Sequence, residues 1–315
     1  MSRTWGVTQA VDLADVHREM TFMMSIPLPP VPSGQRVRPV QVGAQILDVR
    51  AVGAYRELTF HAPGVGQGAE PGQFLTLGVG GPASALLLRR AFALSGVRGD
   101  SVSVVVAEHG PGTRWILQRR PGDVLDLIGP LGRPFPAPPP GGSALLVAGG
   151  YGAAPFVGLA QRLAASGHAV AAVLGAATAD RLCAVDELVL LAQVVAVTTE
   201  DGSAGRTGRV TDVVPELLPG ASTVYACGPM PMLRAVTAQA TARGLACHVS
   251  VEEAMACGIG VCMTCVLPVI GTDGTSRFVR SCVDGPVFEG ARVRFADIGR
   301  LPDDLYGADA MRGPR

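Results

Sequence analysis

The chain has 315 residues with 26 cationic and 26 acidic side chains, so its formal net charge is zero. Because there is no basic excess, electrostatics give no case for nucleic acid or an anionic membrane surface as the main partner. The seven cysteines are an odd number and no secretory signal is recognisable at the N-terminus, which disfavours a secreted disulfide framework and predicts a cytoplasmic location.

The first half of the chain predicts a leader and a barrel. Residues 1–40 are interrupted by prolines and predict a flexible leader without chemistry. Short alternating runs between Gly and Pro turns follow in residues 41–138, which predicts an antiparallel β-barrel of about six strands. One helical segment over 114–120 interrupts the barrel, and the proline-rich stretch 136–142 predicts a linker.

The second half predicts a different architecture. Strands alternate with helices in residues 139–248, which is typical of an α/β nucleotide domain with a parallel sheet. The uncharged run 143–160 has about the length of a membrane span, but its four glycines and one proline favour a strand, a glycine turn and a helix. A cysteine-rich module is predicted over 249–298 and a loose tail over 299–315.

Three cysteines fall within the stretch ACGIGVCMTC, residues 256–265. Their spacing is C-x4-C-x2-C, and a fourth cysteine follows after sixteen further residues, which is the arrangement of plant-type [2Fe-2S] proteins. Gly258 and Gly260 would let the backbone N–H groups approach the cluster sulfurs. The predicted metal ligands are Cys257, Cys262, Cys265 and Cys282. We expect the last of them to come from a strand over 278–282.

Two other interpretations of these thiols stay open. The same four could hold a structural zinc, although such sites more often use two C-x2-C knuckles and only one is present. They could also be inert, but three thiols in one glycine-rich loop fill a core poorly. Cys183 and Cys247 stand alone in apolar contexts and are predicted to be buried hydrophobes.

The segment LLRRAFALSG could contact a pyrophosphate, because a guanidinium can hold such a group with bidentate hydrogen bonds, although paired arginines more often lie on a solvated face. With PGQFLTLGV before it and GPGT and GDVLDLIGPLGRPF after it, it resembles the flavin domain of the ferredoxin–NADP reductase superfamily. There an R-x-[YF]-[ST] signature seats FAD. Ala93 takes the hydroxyl position here, which argues against a side-chain hydrogen bond to the flavin but leaves a backbone contact possible. The implied flavin residues are Arg90, Phe92, Ala93, Val104, Val105, Val106, Gly112 and Thr113.

The segment AGGYGAAPF predicts a phosphate contact at the N-terminus of a helix, where unpaired N–H groups and the helix dipole favour an anion. A plain strand-to-helix turn is the alternative. The spacing is not G-x-G-x-x-G but resembles the nicotinamide-domain turn of the same reductases, as do TTEDGSAGRTGRV and YACGPMPML. The implied dinucleotide residues are Gly150, Gly152, Pro155, Cys227, Gly228 and Pro229.

The order of barrel, nucleotide domain and cysteine module, with the phrases MACGIGVC and CVDGPVF, resembles the electron-transfer subunit of class B, NAD-dependent, dihydroorotate dehydrogenase over about residues 40–296. The resemblance implies FAD, a [2Fe-2S] cluster and NAD(H) as cofactors. It also implies that electrons pass from NADH through FAD and the cluster to FMN in a separate catalytic subunit, within a heterotetramer of the two subunits. No catalytic acid or base is expected, because hydride transfer between stacked rings needs none.

Three alternatives to this function remain. The small subunit of a bifurcating or hydrogenase-linked NAD(P)H:ferredoxin oxidoreductase has the same layout, and so has the reductase component of an oxygenase. A zinc-bearing interaction protein is the non-enzymatic alternative. The sequence does not decide between NADH and NADPH, because Asp180 would repel a 2′-phosphate and Arg181 would attract it.

Overall fold

The computed structural model describes residues 38–81 and 84–306. Residues 1–37, which hold most of the predicted leader, lie outside the described residues. Within those two described ranges, none of the helices combines the length and the apolar character that a membrane span requires.

The first region is a closed antiparallel barrel, in which the described strands follow the order β1-β2-β5-β4-β3-β6. The strands are β1 (Val40–Val52), β2 (Tyr55–His61), β3 (Phe74–Leu77), β4 (Arg90–Arg98), β5 (Ser101–Val106) and β6 (Val124–Leu131). Alternate residues of each strand face inward, and Leu58, Val104 and Leu127 are fully buried in the barrel core. The prediction of an antiparallel barrel is confirmed.

One helix, α1 (Pro111–Leu117), connects β5 to β6, and its position corrects the predicted range 114–120. The hydroxyl of Thr113 accepts the N–H of His109 at 2.8 Å and so starts the helix earlier. Proline at the first position favours this start, because its missing N–H would have no partner there. The helix ends early because the backbone N–H of Arg120 turns to the carboxylate of Asp123 at 3.0 Å.

The second region is a sheet in which the described strands follow the order β10-β9-β8-β7-β11-β12-β15. The strands are β7 (Ser143–Gly149), β8 (Ala169–Ala176), β9 (Val194–Thr199), β10 (Arg206–Thr207), β11 (Thr223–Cys227), β12 (Ala246–Ser250) and β15 (Val287–Glu289). All neighbours pair in parallel except β15, which runs antiparallel to β12. The predicted α/β nucleotide domain is confirmed.

Helices cover both faces of this sheet. They are α2 (Ala154–Ala165), α3 (Val185–Leu191), α4 (Val210–Leu217) and α5 (Met230–Thr241). Phe156 and Leu188 bury α2 and α3 in one core, and Val214 and Leu233 bury α4 and α5 in the other. The sheet is therefore doubly wound, which requires its central strands to be apolar on both faces.

The cysteine-rich module contains the hairpin β13 (Val266–Ile270) and β14 (Ser276–Arg280) and then strand β15. The link from β14 to β15 is fixed on both sides. The backbone N–H of Arg133, after the barrel, donates to the oxygen of Gly285 at 2.6 Å, and that of Val251, after β12, donates to the oxygen of Pro286 at 2.9 Å. The module is thus continuous with both larger regions, whereas the predicted boundaries at 248 and 298 stay predictions.

Part of the predicted loose tail is packed. Leu305 is 4% exposed, and the N–H of Tyr306 donates to the oxygen of Ser276 at 2.8 Å. Asp304 accepts a hydrogen bond from Arg294 at 2.7 Å. The prediction of looseness was therefore wrong for residues 299–306, because an apolar side chain and an ion pair fix them to the module. Residues 307–315 lie outside the described residues.

Candidate electron-transfer site

The loop after Cys257 surrounds one sulfur with backbone donors. The N–H groups that point at the Sγ of Cys257, at 3.4 to 3.5 Å, are those of Ile259, Val261 and Cys262. Gly258 and Gly260 have φ values of 73° and 86°, in the left-handed region that glycine adopts without strain. The glycines therefore allow this short loop to direct its N–H groups inward, as a negatively charged sulfur requires.

The predicted metal ligands lie as two pairs. The thiol of Cys262 has that of Cys257 as an electrostatic neighbour, and Cys282, which shares a buried cluster with Cys265, is influenced by Cys265 and more weakly by Cys257. In the described residues, no group of three or more His, Cys, Asp or Glu side chains could hold one metal ion. A centre with two irons needs only two thiolates at each iron, because inorganic sulfide supplies the rest. The paired arrangement fits such a centre.

The two pairs differ in their surroundings. The hydroxyl of Thr264 donates to the exposed Cys262 at 3.2 Å and is the main cause that lowers the pKa of this thiol to about 6. Burial raises the pKa of Cys282 to about 12, and its neighbour Cys265 adds to the rise. The buried hydroxyl of Ser281 has no hydrogen-bond partner in the described residues. A bound cluster would give this hydroxyl an acceptor, which is a further point of fit.

The cysteine loop lies directly on the barrel. A Cβ on Gly258 would lie only 2.6 Å from the Cγ2 of Thr76 in β3. The buried cysteine pair shares an apolar cluster with Phe74, and Ala91 packs against that cluster. Ala91 is the second residue of β4, the strand that carries the predicted flavin signature. The cysteine loop is therefore in contact with β3 and β4, and β4 carries the predicted flavin signature.

The position of Cys282 corrects one prediction. The expected strand over 278–282 ends at Arg280, and Cys282 lies in the turn that follows. The chain turns there because the N–H of Asp284 donates to the oxygen of Arg280 at 2.8 Å. This turn, and not a strand, places the fourth sulfur beside Cys265.

The predicted flavin residues begin at the edge of the barrel, where Arg90 lies over the start of α1. A Cβ on Gly112 would lie 2.5 Å from the Nε of Arg90 and 2.7 Å from its Cζ. Only glycine leaves room for the guanidinium there. The guanidinium and the first N–H groups of the helix together form a donor set that suits a pyrophosphate. Phe92 and Ala93 continue β4 from this point and are partly exposed.

Other predicted flavin residues are placed differently. Val104 and Val106 are fully buried in the barrel core, so they offer backbone atoms only. Val105 is partly exposed and packs against the core of the nucleotide sheet. The hydroxyl of Thr113 is occupied by the backbone of the turn before α1. The direct contacts of these residues with a flavin stay predictions.

The predicted dinucleotide residues meet where the strand order of the sheet reverses, between β7 and β11. Nucleotides bind at such a switch point, outside the carboxyl ends of the strands. The turn after β7 holds Gly150, Gly152 and Pro155, and Cys227, Gly228 and Pro229 end or follow β11. A Cβ on Gly152 would lie 2.4 Å from the oxygen of Cys227, so the two segments pack backbone to backbone.

A cavity of about 410 Å³ opens at this switch point. Gly150 and Pro229 line it, whereas Cys227 is buried. The cavity lining includes Arg181, which the sequence placed beside the dinucleotide, and further residues that sequence reasoning missed, among them Tyr55, Tyr151, Glu200, Arg209 and Glu252. Positions just after parallel strands are a signal that could have found Glu200 after β9. No local signal points to Tyr55, because it belongs to the barrel.

Comparisons with known proteins agree with this geometry. A family model described as the iron-sulfur cluster binding domain of dihydroorotate dehydrogenase B matches residues 252–294, and an oxidoreductase NAD-binding domain matches residues 146–238. The dihydroorotate dehydrogenase B (NAD(+)) electron transfer subunit of Geobacillus thermodenitrificans is 40% identical over 75% of this chain and 91% of its own length. The chain belongs to this family.

Other relatives support the assignment. The probable dihydroorotate dehydrogenase B (NAD(+)) electron transfer subunit of Methanopyrus kandleri is 39% identical over 76% of this chain and 86% of its own. Among solved structures, a chain of the NADH-dependent reduced ferredoxin–NADP oxidoreductase has a TM-score of 0.72 at 28% identity and covers 89% of this chain and 98% of its own. The ferredoxin reductase of carbazole 1,9a-dioxygenase, at 23% identity and a TM-score of 0.56 over 68% of each chain, shares the fold.

The cavity of this family member carries both signs of charge. Arg181 lines it, whereas the carboxylate of Asp180 accepts a hydrogen bond from the hydroxyl of Thr178. Arg209 and Glu200 both line the cavity and form an ion pair at 3.4 Å. Of the two residues that the sequence weighs for a 2′-phosphate, Arg181 therefore lines the cavity and Asp180 is not among its lining residues.

The pKa values of two groups near the predicted nicotinamide position are raised above their ordinary values. Burial raises the pKa of Cys227 to about 12, so this thiol is neutral at physiological pH. Desolvation by the cavity wall raises the pKa of Glu252. The buried hydroxyl of Thr198 in the same wall has no hydrogen-bond partner in the described residues.

Proposed function

We propose that this chain takes electrons from NADH and delivers them, through FAD and a [2Fe-2S] cluster, to an FMN-containing dihydroorotate dehydrogenase catalytic subunit. One observation carries the proposal: Cys265 and Cys282, within the match to the dihydroorotate dehydrogenase B cluster domain, share an apolar cluster with Phe74 of β3, and Ala91 of the flavin-signature strand β4 packs against it. Without that contact, the cluster would have no electron donor close to it.

The residues of the chain bind and orient, and the bound groups supply the redox chemistry. When bound, FAD accepts a hydride and the cluster carries single electrons, so the two together convert a two-electron donor into a one-electron supply. Arg90 and the start of α1 hold the flavin pyrophosphate. The cavity at the switch point orients the dinucleotide toward the barrel. The N–H groups around Cys257 and the hydroxyl of Thr264 stabilise the charge of the cluster.

The exposed edge of the cluster loop is the proposed exit for electrons. Cys262 is exposed, and the exposed fractions of its neighbours Val261 and Met263 are 74% and 54%. Apolar side chains at this exposure favour contact with a protein surface. We place the catalytic subunit there, in a heterotetramer of the two kinds of subunit in the cytoplasm.

The experiment is reconstitution. The purified chain is expected to be yellow-brown, to contain two irons and one FAD, and to reduce orotate with NADH only after the catalytic subunit is added. Metal analysis that finds zinc in place of iron would replace the proposal by an interaction protein. The mass of the reconstituted complex, measured by light scattering, tests the heterotetramer.

A second candidate function follows from the structural likeness to the NADH-dependent reduced ferredoxin–NADP oxidoreductase, which covers 98% of that chain. That oxidoreductase is a protein of flavin-based electron bifurcation. If this chain has that role, it will reduce ferredoxin together with a flavoprotein partner and will not support orotate reduction. The two reactions can be compared with one preparation.

A further inference from the structure

The turn between β1 and β2 reaches from the barrel to the segment beside the dinucleotide cavity. The N–H of Ala54 donates to the oxygen of Asp180 at 2.6 Å. A Cβ on Gly53 would lie 2.0 Å from the same oxygen, so only glycine permits this approach. The hairpin and residues 179–181 are therefore in backbone contact, although they belong to different regions of the molecule.

Tyr55, the first residue of β2, carries the contact into the cavity. It is 7% exposed, and it packs in the core of the nucleotide sheet although its strand belongs to the barrel. Its hydroxyl donates to the oxygen of Arg181 at 3.0 Å. A Cβ on Gly150 would lie 3.2 Å from that hydroxyl. Tyr55, Gly150 and Arg181 all line the cavity.

Ring contacts continue from Tyr55 toward the predicted flavin. The rings of Tyr55 and Tyr151 meet edge to face at 5.7 Å, and those of Tyr151 and His109 at 5.9 Å. The N–H of His109 donates to the hydroxyl of Thr113 at the start of α1. One contiguous set of contacts thus joins the cavity wall to the turn that would hold the flavin pyrophosphate.

We propose that Tyr55 is a positioning residue for the dinucleotide, by which the flavin barrel fixes the Gly150 turn and the Arg181 segment. This inference rests on the proposed function, in which the cavity takes NADH. The hydroxyl sets where the carbonyl of Arg181 lies, and hence where its side chain can meet a phosphate or ribose. Without the hydroxyl, part of the binding energy would be spent on ordering this segment.

The test is Tyr55→Phe in the complete flavin- and cluster-loaded chain, with rapid mixing of NADH and observation of flavin bleaching. Loss of one neutral hydrogen bond predicts about a fivefold rise in the dissociation constant for NADH, with the limiting rate of bleaching unchanged. In a calorimetric titration with NAD+, which involves no turnover, the dissociation constant should rise by the same factor. Gly53→Ala should act in the same direction.

Tyr225→Phe is the matched control. The hydroxyl of Tyr225 also donates to a backbone oxygen, that of Pro136 at 2.9 Å, and the ring is buried in the same core. Its removal should cost similar stability and leave NADH binding unchanged. An equal rise in both variants would reduce Tyr55 to a structural role and overturn the assignment. If the wild-type chain does not bind NADH, the proposed function is wrong and the assignment of Tyr55 with it. If the wild-type chain binds NADH and the Tyr55→Phe and Gly53→Ala variants bind it equally tightly, only the assignment of Tyr55 is wrong.

Discussion

The cluster loop and the dinucleotide cavity are built in opposite ways. Three of the four cysteines lie within residues 257–265, and the fourth follows one hairpin later. The cavity takes its walls from the barrel hairpin, from the ends of β7, β8, β9 and β11, and from the segment after β12. A site made from one short loop can be recognised from spacing, because its geometry is local. A site made from distant segments depends on how the strands are ordered.

The largest predicted effect tests the local site. Cys282→Ser should abolish the visible absorption and the EPR signal of the cluster, because a hydroxyl replaces one of the two thiolates of an iron. Bleaching of the flavin by NADH should persist, since none of the predicted cluster cysteines is among the residues that line the dinucleotide cavity. Cys247→Ser, at a lone buried thiol, is the control and should keep the cluster. A cluster retained in Cys282→Ser would refute the pairing of sulfurs described above.

The next effect concerns the contact between a glycine and an arginine. Gly112→Ala would place a Cβ within 2.7 Å of the guanidinium of Arg90 and push it from the start of α1. The dissociation constant for FAD should rise about tenfold, as expected when a charge-assisted hydrogen bond is lost. Fluorescence of released flavin measures it. Gly110→Ala, whose Cβ would meet nothing within 4 Å, should bind FAD normally, and equal losses in both variants would contradict the predicted contact.

A smaller effect should appear in the redox potential of the cluster. A hydrogen bond to a ligand sulfur stabilises the more negative, reduced state, so its loss lowers the potential. Thr264→Val removes the donor to Cys262 and should lower the midpoint potential by tens of millivolts in an EPR-monitored titration. Thr264→Ser should restore most of it. An unchanged potential in the valine variant would mean that the hydroxyl does not tune the cluster.

The smallest effect lies in the sheet that carries the cavity. Burial beside the ring of Tyr225 lowers the pKa of His248, so the folded chain keeps this ring neutral. The unfolded chain protonates it below about pH 6.5, and stability must therefore fall as pH drops through that value. His248→Gln should lessen the drop in melting temperature between neutral and mildly acidic buffer. Parallel pH curves for wild type and His248→Gln would rule this contribution out.

Much of the fold was predictable because its periodicity is local. Alternating apolar residues predicted the barrel, and the alternation of strands with helices predicted the α/β sheet. The start of α1 was not predictable, because it depends on the hydrogen bond between the hydroxyl of Thr113 and the backbone of the preceding turn. The packed segment 299–306 was also missed, since the polar composition of the segment does not show that Leu305 finds an apolar cover.

By itself, the sequence indicated the order of the cofactor sites, because the cysteine spacing and the segments that resemble flavin and nicotinamide motifs each lie within a few residues. Tertiary structure alone decided which side chains share the dinucleotide cavity. Tyr55 and Arg181 are 126 positions apart and meet only when the barrel closes beside the sheet. Contacts of that kind depend on strand order and on the docking of one region against another, and no local pattern in the chain encodes them.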